Sequence, residues 1–415
     1  MDDDKTAGRR PGPLSGLRVL DFSRILSGPY CTQILADLGA EVIKIETVGK
    51  GDETRSFPPF KGPFSHYFIA LNRGKLSIAL DLKSEKGAAI ARDLAKNCDI
   101  VVENFRPGVM DKLGLGYETL SADNPGLVYC SITGFGDDSP LRDKPAFDIV
   151  AQALSGIMSV NREAGGTPNR LGIPMGDMAG GIYALFGILA AMVQRQTTGK
   201  GQRIDISMLD GLIGMLGYLA QIYFVTGKAP EPVGTKHPSI VPYGAYPTSD
   251  GHVIVACLTE QFWCNFAKAL DLPDLVSDER FCEYSRRLEN RDTLEAIIEE
   301  RMRRDDTDYW LARLQEYDVP SAPILDVGQA LEQAHTRERD LIDTTCHPAA
   351  GEIKVLRTPI RLDGHPLDAS SPPPLLGEQT TEILSRVLGI DSREIGSLTE
   401  DSVVLQQSGQ QTPRR

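Results

Sequence analysis

The carboxylate best placed for chemistry is Asp177, which lies in the densest glycine cluster of the chain, residues 172–181. The apolar segment 182–193 follows directly, so we expect Asp177 at or near the N-terminus of a helix. The commonest role of an aspartate there is to cap the helix. Alternatively the carboxylate is a nucleophile, because backbone N–H groups of a glycine-rich turn can hold an oxyanion and the positive helix end favours the ionised carboxylate. Spacing leaves both interpretations open.

A second candidate site is the turn at residues 23–29, which lies between a predicted strand and a predicted helix, where doubly wound folds bind phosphates. It lacks the GxGxxG pattern, which disfavours a nicotinamide-dependent dehydrogenase. Basic residues recur near the ends of other predicted strands; each alone is usually a solvated surface charge, but as a set they could hold a polyphosphate. They are Lys44, Arg73, Lys75, Lys83, Arg106 and Lys112.

The elements that must position these residues alternate between strand and helix. Strand patterns at 18–22, 40–46, 77–82, 99–103 and 127–133 are separated by helical patterns, which predicts βαβ units and a doubly wound parallel sheet. A long, mostly apolar helix is expected over 209–226. A loop rich in proline and glycine follows at 227–242, and it contains His237, which is usually structural in such a place but would suit contact with a small carboxylate.

Composition limits the classes of function. The 415 residues carry a net charge of −13, from 44 basic and 57 acidic side chains, which argues against a nucleic-acid partner. The seven cysteines form no CxxC pair and the six histidines have no metal-ligand spacing, so we expect no metal site. No uninterrupted apolar run approaches the roughly 18 residues that span a bilayer. The acidic N-terminus is unlike a targeting peptide. We therefore expect a cytoplasmic protein without a membrane partner, or a mitochondrial one if the N-terminus is processed.

Taken in order and spacing, many stretches of the chain resemble the family III CoA-transferases, the group that contains formyl-CoA, carnitine and succinyl-CoA-dependent transferases. Residues 234–243 and 372–377 look most like its succinyl-CoA:glutarate branch, which transfers CoA to dicarboxylic acids. The tetraglycine lid loop of formyl-CoA transferases is missing, and Thr47 and Leu26 stand where those enzymes have arginine and glutamine. The stretches that carry the resemblance are residues 17–24, 28–29, 37–46, 51–52, 72–83, 102–108, 131–136, 176–177 and 198–202.

The resemblance implies an α/β fold with a Rossmann-like large domain containing a parallel sheet, a smaller α+β domain, and an interlocked homodimer. With the patterns above, it divides the chain into an N-terminal tail (1–13), a large domain (14–222), a linker and small domain (223–326), a return to the large domain (327–400) and a C-terminal tail (401–415). It also implies an acyl-CoA and a small carboxylic acid as substrates, with no tightly bound cofactor.

In the family, the aspartate that matches Asp177 attacks the donor thioester to give a mixed anhydride, which CoA then converts to an aspartyl-CoA thioester. Arg24, His237 and Tyr243 are candidates for contact with the acceptor acid. The same resemblance implies a coenzyme A site formed by Leu26, Ser27, Leu80, Lys83, Asn104, Phe105, Arg106, Lys112 and the segment near Asp148.

Two alternatives remain. The 2-methylacyl-CoA racemases resemble the chain equally in fold, but they need a histidine immediately before the Asp-Ile pair, and Phe147 precedes Asp148 here. Phenylalanine cannot carry a proton, so the racemase is disfavoured. A protein that binds CoA without catalysis is the other alternative, and retention of Asp177 in its glycine setting argues against it.

Overall fold

The computed structural model describes residues 12–367 and 371–406, so residues 1–11 and 407–415 of the two predicted tails lie outside the described part of the chain. The strands are β1 Arg18–Asp21, β2 Glu41–Glu46, β3 Phe60–Lys61, β4 Phe64–Ser65, β5 Lys75–Leu80, β6 Ile100–Glu103, β7 Val128–Thr133, β8 Arg203–Ser207, β9 Tyr243–Pro247, β10 His252–Ala256, β11 Ser321–Pro323, β12 Ile342–His347, β13 Gly351–Leu356, β14 Arg361–Leu362, β15 His365–Pro366 and β16 Val404–Leu405.

The helices include two short 3₁₀ segments, Glu53–Ser56 and Pro273–Val276. The α-helices are α1 Ser27–Asp37, α2 His66–Asn72, α3 Glu85–Lys96, α4 Val109–Lys112, α5 Tyr117–Asp123, α6 Asp148–Leu154, α7 Ile157–Val160, α8 Met175–Thr198, α9 Met208–Met215, α10 Tyr218–Thr226, α11 Glu260–Ala269, α12 Tyr284–Glu289, α13 Arg291–Met302, α14 Thr307–Glu316, α15 Val327–Glu332, α16 Ala334–Glu338, α17 Thr380–Leu388 and α18 Ser392–Glu400.

The chain divides into two compact units. Unit 1 comprises the described residues of Met1–Ser155, Leu171–Leu216 and Ala334–Arg415, and unit 2 comprises Gly156–Arg170 and Gly217–Gln333. Unit 2 thus includes residues 156–170, which the predicted boundaries assign to the large domain. The reason is local: the Gly234 N–H donates to the carbonyl oxygen of Arg162, which ties the segment to the loop before β9.

Unit 1 is built on a seven-stranded sheet in the order β16-β5-β2-β1-β6-β7-β8, parallel except for β16. Successive strand residues enter two separate cores: Leu20 and Val101 lie on one face, Val19 and Val102 on the other. A sheet buried on both faces explains the near-continuous apolar runs in the sequence. The predicted doubly wound α/β fold is confirmed, and its switch point lies between β1 and β6, the neighbours at which the strand order reverses.

Unit 2 contains a three-stranded antiparallel sheet in the order β11-β10-β9, with helices that enclose Trp263 and Trp310. The predicted long helix at 209–226 is wrong, because the chain forms α9 and α10 instead. Gly217 separates them with φ +53°, a conformation that ends a right-handed helix.

The C-terminal segment is also more ordered than expected. Residues 404–405, assigned to the polar tail, form β16 and pair with Leu80 and Ala79 at the edge of the sheet. One helix of the described residues, α8, is long and apolar enough to cross a membrane by length and composition alone, with a mean hydropathy of 1.6. Glycines interrupt the apolar run of α8, so the sequence pattern does not predict a helix of this length and hydropathy. In unit 1, α8 packs against α1 and the sheet.

Candidate active site

Asp177 is the third residue of α8, and Pro174 precedes the helix as its N-cap. The side chain of Asp177 therefore does not cap the helix, and the capping interpretation is wrong. Its backbone N–H is engaged by Asp148, whereas the described residues offer no hydrogen-bond partner to its carboxyl oxygens. A mostly buried carboxylate with no structural task remains available for chemistry.

The glycines around Asp177 serve helix packing. A Cβ on Gly181 would lie 2.6 Å from the carbonyl oxygen of Ser27, so glycine lets α8 approach the backbone of α1. A Cβ on Gly176 would lie 3.0 Å from Oδ1 of Asp148. The glycine cluster therefore brings the head of α8 against both α1 and α6.

Asp148, the first residue of α6, supplies the cap that Asp177 does not. Its Oδ1 accepts hydrogen bonds from the Gly176 N–H at 2.7 Å and the Asp177 N–H at 3.4 Å. Its Oδ2 accepts one from Nε2 of Gln152 at 2.7 Å, and Oε1 of this fully buried glutamine accepts one from the Leu171 N–H at 2.8 Å. The N–H groups of Gly176 and Asp177 are therefore occupied by Asp148.

The electrostatics of Asp177 also differ from the expectation. Burial, together with the negative charge of Asp148, raises the pKa of Asp177 to about 7. This shift opposes the ionisation that the positive helix end was expected to favour. Tyr67 on α2 faces the same charges, and burial with the charges of Asp177 and Asp148 raises the pKa of its hydroxyl to about 12. Two carboxylates and a protonated phenol share this end of α8.

The turn after β1 lies at the switch point and is held from β6. Asn104 accepts a hydrogen bond from the Arg24 N–H at 2.8 Å and donates from Nδ2 to the Arg24 carbonyl at 2.8 Å and to Oγ of Ser27 at 3.3 Å. The Arg24 guanidinium lies 4.8 Å from the ring centroid of Phe105. Ile25 has φ +65°, a strained conformation for a β-branched residue, and such strain is retained where the surroundings over-determine the backbone.

A network of buried charged side chains contacts this turn from the strands of the sheet. Lys75 Nζ lies 3.0 Å from Oδ2 of Asp21, and Lys44 Nζ lies 3.0 Å from Oδ2 of Asp52 and 2.8 Å from the carbonyl of Ser23. Burial opposes ionisation of Asp21, but the charges of Lys75 and Lys44 outweigh it and hold the pKa of Asp21 below its usual range. The expectation that Lys44, Arg73 and Lys75 are surface charges or phosphate ligands is wrong, since all three are buried.

The remaining residues predicted to bind coenzyme A lie at or after the ends of two parallel strands of unit 1, β5 and β6, which β2 and β1 separate in the sheet. Leu80 ends β5, Lys83 follows it, Phe105 and Arg106 follow β6, and Lys112 ends α4. In the described chain, no hydrogen bond or ion pair joins the side chains of Lys83, Arg106 and Lys112 to the turn. A cavity of about 480 Å³ beside it is lined by Arg24, Thr47, Lys50, Gly51, Asp52, Glu53, Arg55 and Ser56.

His237 and Tyr243 come together in unit 2, with ring centroids 5.3 Å apart, and Tyr218 stacks on the histidine at 5.7 Å. Nδ1 of His237 accepts the N–H groups of Ser239 and Ile240, both at 3.1 Å. Burial and the nearby Arg291 lower the pKa of His237. The imidazole is therefore neutral at pH 7 and carries its proton on Nε2.

Sequence reasoning missed Tyr67 and Gln152. Both lie in short helices, and the sequence pattern of such a helix indicates only which face is buried. It does not indicate that Tyr67 lies near Asp177 or that Gln152 bonds to Asp148. Within residues 12–367 and 371–406, no group of three or more His, Cys, Asp or Glu side chains is arranged to hold a metal ion.

Comparison with known proteins identifies the family. The model of CoA-transferase family III matches residues 14–380. The chain is 40% identical to succinyl-CoA:glutarate CoA-transferase of Homo sapiens, over 94% of this chain and 90% of the relative, and 38% identical to acetyl-CoA:oxalate CoA-transferase of Acetobacter aceti, over 87% and 92%. The crystal structure of a CAIB/BAIF family protein from Brucella suis superposes with a TM-score of 0.82 at 37% identity, covering 91% of this chain and all of that one.

Proposed function

The chain belongs to CoA-transferase family III, and we propose that it moves CoA from succinyl-CoA to a dicarboxylic acid through a covalent intermediate on Asp177. The single observation that carries this proposal is the carboxylate of Asp177, which caps nothing and is held at the head of α8. The relatives described above are named for glutarate and oxalate, both dicarboxylates, which supports the acceptor class.

The proposed reaction needs no ATP, because each intermediate conserves the activation of the thioester. The Asp177 carboxylate attacks the thioester carbonyl, the C–S bond breaks, and a mixed anhydride and CoA thiolate form. The thiolate then attacks the Asp177 carbonyl of the anhydride, releasing succinate and leaving an aspartyl-CoA thioester. The acceptor carboxylate repeats the two steps in reverse, and free Asp177 returns. The acyl-CoA enters as a substrate, and the scheme requires no carrier other than CoA.

We place the nucleotide end of CoA at the carboxyl edge of the parallel sheet. The turn held by Asn104 contains Leu26 and Ser27, both buried, at the switch point where doubly wound sheets bind ligands. Arg24, the candidate contact for the acceptor acid, lies at the same edge beside Phe105 and the 480 Å³ cavity, and its guanidinium is paired with Glu53 at 3.2 Å. Leu80 ends β5 and Lys83 comes after it, whereas Phe105 and Arg106 follow β6 and Lys112 ends α4, the helix after β6.

For the acceptor we propose His237 as the donor to the second carboxylate, with Tyr243 beside it. Its Nδ1 is already occupied, so Nε2–H is the group left to donate. We expect His237→Ala to raise the KM for a dicarboxylate acceptor roughly tenfold, the value of one hydrogen bond to a charged group. Steady-state kinetics would check this, with His237→Gln as the matched variant that keeps a donor. Equal losses with a monocarboxylate acceptor would contradict this role.

We also propose that the protein acts as a homodimer. The outer face of α8 exposes Tyr183, Phe186 and Val193 at helical spacing, and Phe186 and Val193 are 60% and 66% exposed. A contiguous apolar stripe of this kind on a folded chain usually marks an interface, and a second copy is the occupant that a closed symmetric assembly provides. Light scattering at micromolar concentration should give twice the mass of the chain; the mass of one chain would contradict the proposal.

The experiment that tests the function is a CoA-transfer assay with succinyl-CoA and a panel of acids. We expect turnover with one or more of glutarate, itaconate and mesaconate, with oxalate as a further arm and propionate as the monocarboxylate control. Tight CoA binding without acyl exchange would support the non-catalytic alternative. Uptake of deuterium at the α-carbon of a 2-methylacyl-CoA at turnover rates would support the racemase, a role that Phe147 disfavours.

A further inference from the structure

Asp148 is placed to do more than cap α8. Its side chain accepts a hydrogen bond from the backbone N–H of Asp177, the proposed nucleophile. Both of its oxygens act as acceptors in the contacts described above, as those of a carboxylate do. Gln152, fully buried, fixes its second oxygen and is itself fixed by the Leu171 N–H. A second negative charge is thus anchored rigidly next to Asp177. Capping alone does not need this charge, because asparagine and serine cap helices about as well.

Resting on the proposed function, we infer that Asp148 is a positioning residue whose fixed negative charge drives acylation of Asp177. An ionised Asp177 is repelled by Asp148. When Asp177 attacks the thioester, its carboxylate becomes a neutral anhydride and the negative charge leaves on CoA thiolate. In the second step the charge leaves on the released succinate. Each covalent form therefore relieves a repulsion that is present in the free enzyme, and a carboxylate made more basic in this way is also a better nucleophile.

Other charged and titratable groups around the head of α8 do not replace Asp148. They are Tyr67 on α2, which interacts electrostatically with Asp177 and Asp148, and Tyr30 on α1, whose ring lies against Gly181. Tyr67 keeps its proton in the working range, since burial and the two carboxylates raise its pKa to about 12. Burial likewise raises the pKa of Tyr30. Burial and Asp148 are the causes that raise the pKa of Asp177.

The test is Asp148→Asn, with Asp148→Ser as a second variant, because both side chains can accept from the helix N–H groups. In the wild type, the acid limb of kcat/KM should have its midpoint near pH 7, since Asp177 must be ionised to attack and its pKa is about 7. In both variants the midpoint should move to lower pH by roughly one unit or more. The amount of aspartyl-CoA adduct is measured by intact mass spectrometry at pH 8 and a fixed ratio of succinyl-CoA to succinate. For each unit by which the midpoint moves, the variants should form about tenfold less adduct than the wild type.

Asp210→Asn is the matched control, since it removes an exposed carboxylate from the first turn of α9 and should leave both the pH limb and the adduct unchanged. A variant of Asp148 that folds, keeps the wild-type pH limb and forms the wild-type amount of adduct would overturn the inference and leave Asp148 with capping alone. Absence of any adduct in the wild type would instead refute the proposed function, so the two failures are distinguishable.

Discussion

Asp177→Ala is expected to lower kcat for CoA transfer by at least about 10³-fold while CoA affinity stays within about twofold. Loss of the covalent nucleophile removes the oxygen that accepts the acyl group in the proposed route, and the residual rate then comes from binding alone. The carboxyl group makes no hydrogen bond within the described chain, so its removal leaves the packing of α8 intact. A thioester assay by liquid chromatography measures the rate, and calorimetric titration with CoA measures the affinity.

Asp177→Asn is the matched variant, and it separates catalysis from folding. Because the folded pKa of Asp177 is raised to about 7, the wild type loses stability as pH rises from the unfolded pKa towards 7 and beyond. The asparagine variant should therefore be inactive yet unfold at a higher temperature than the wild type at pH 8, with little difference at pH 4. An active alanine variant, together with a peptide containing Asp177 that stays unmodified after incubation with succinyl-CoA, would contradict the covalent route.

The fold was predictable from the sequence because its strands are buried on both faces. Runs such as Val19-Leu20 and Ile100-Val101-Val102 feed two cores at once, and this leaves continuous apolar segments that alternate with helical patterns. The exceptions depend on tertiary contacts. Val404 and Leu405 pair with the edge of β5, and their apolar run is too short to predict a strand from the sequence alone.

The candidate site was predictable in part. Glycine density pointed to Asp177, yet the close approach that the glycines permit is to Ser27 and Asp148. The sequence separation of 29 residues between Asp148 and Asp177 hides their contact, since no periodic pattern relates residues on two helices. Lys44 and Lys75 were misassigned for a similar reason: a lysine at a strand is normally exposed, and only the folded sheet reveals the carboxylates that pair with it.

Lys75→Met is expected to lower the free energy of unfolding by about 3–5 kcal/mol, the cost of removing one partner from a buried ion pair. The Nζ of Lys75 makes three contacts at 3.0 Å, to Oδ2 of Asp21, the carbonyl of Pro29 and Oδ1 of Asn72. Methionine has a similar volume but no hydrogen-bond donor. The Asp21 carboxylate then keeps only Lys44 as a charge partner in this network, and the buried oxygens of Pro29 and Asn72 lose the donor that Lys75 supplied. Urea denaturation at a fixed protein concentration, with the m-value unchanged, measures the loss.

Lys86→Met is the control for this change, because the Lys86–Asp401 ion pair is exposed and should contribute less than about 1 kcal/mol. Adding Asp21→Asn to Lys75→Met should recover part of the stability, since the buried charge is then removed together with its partner. A loss no larger than that of Lys86→Met would mean that the network beneath the turn contributes little. A large loss that the second substitution partly reverses would show that paired burial of charge, more than packing volume, stabilises the base of the turn at Ser23–Gly28.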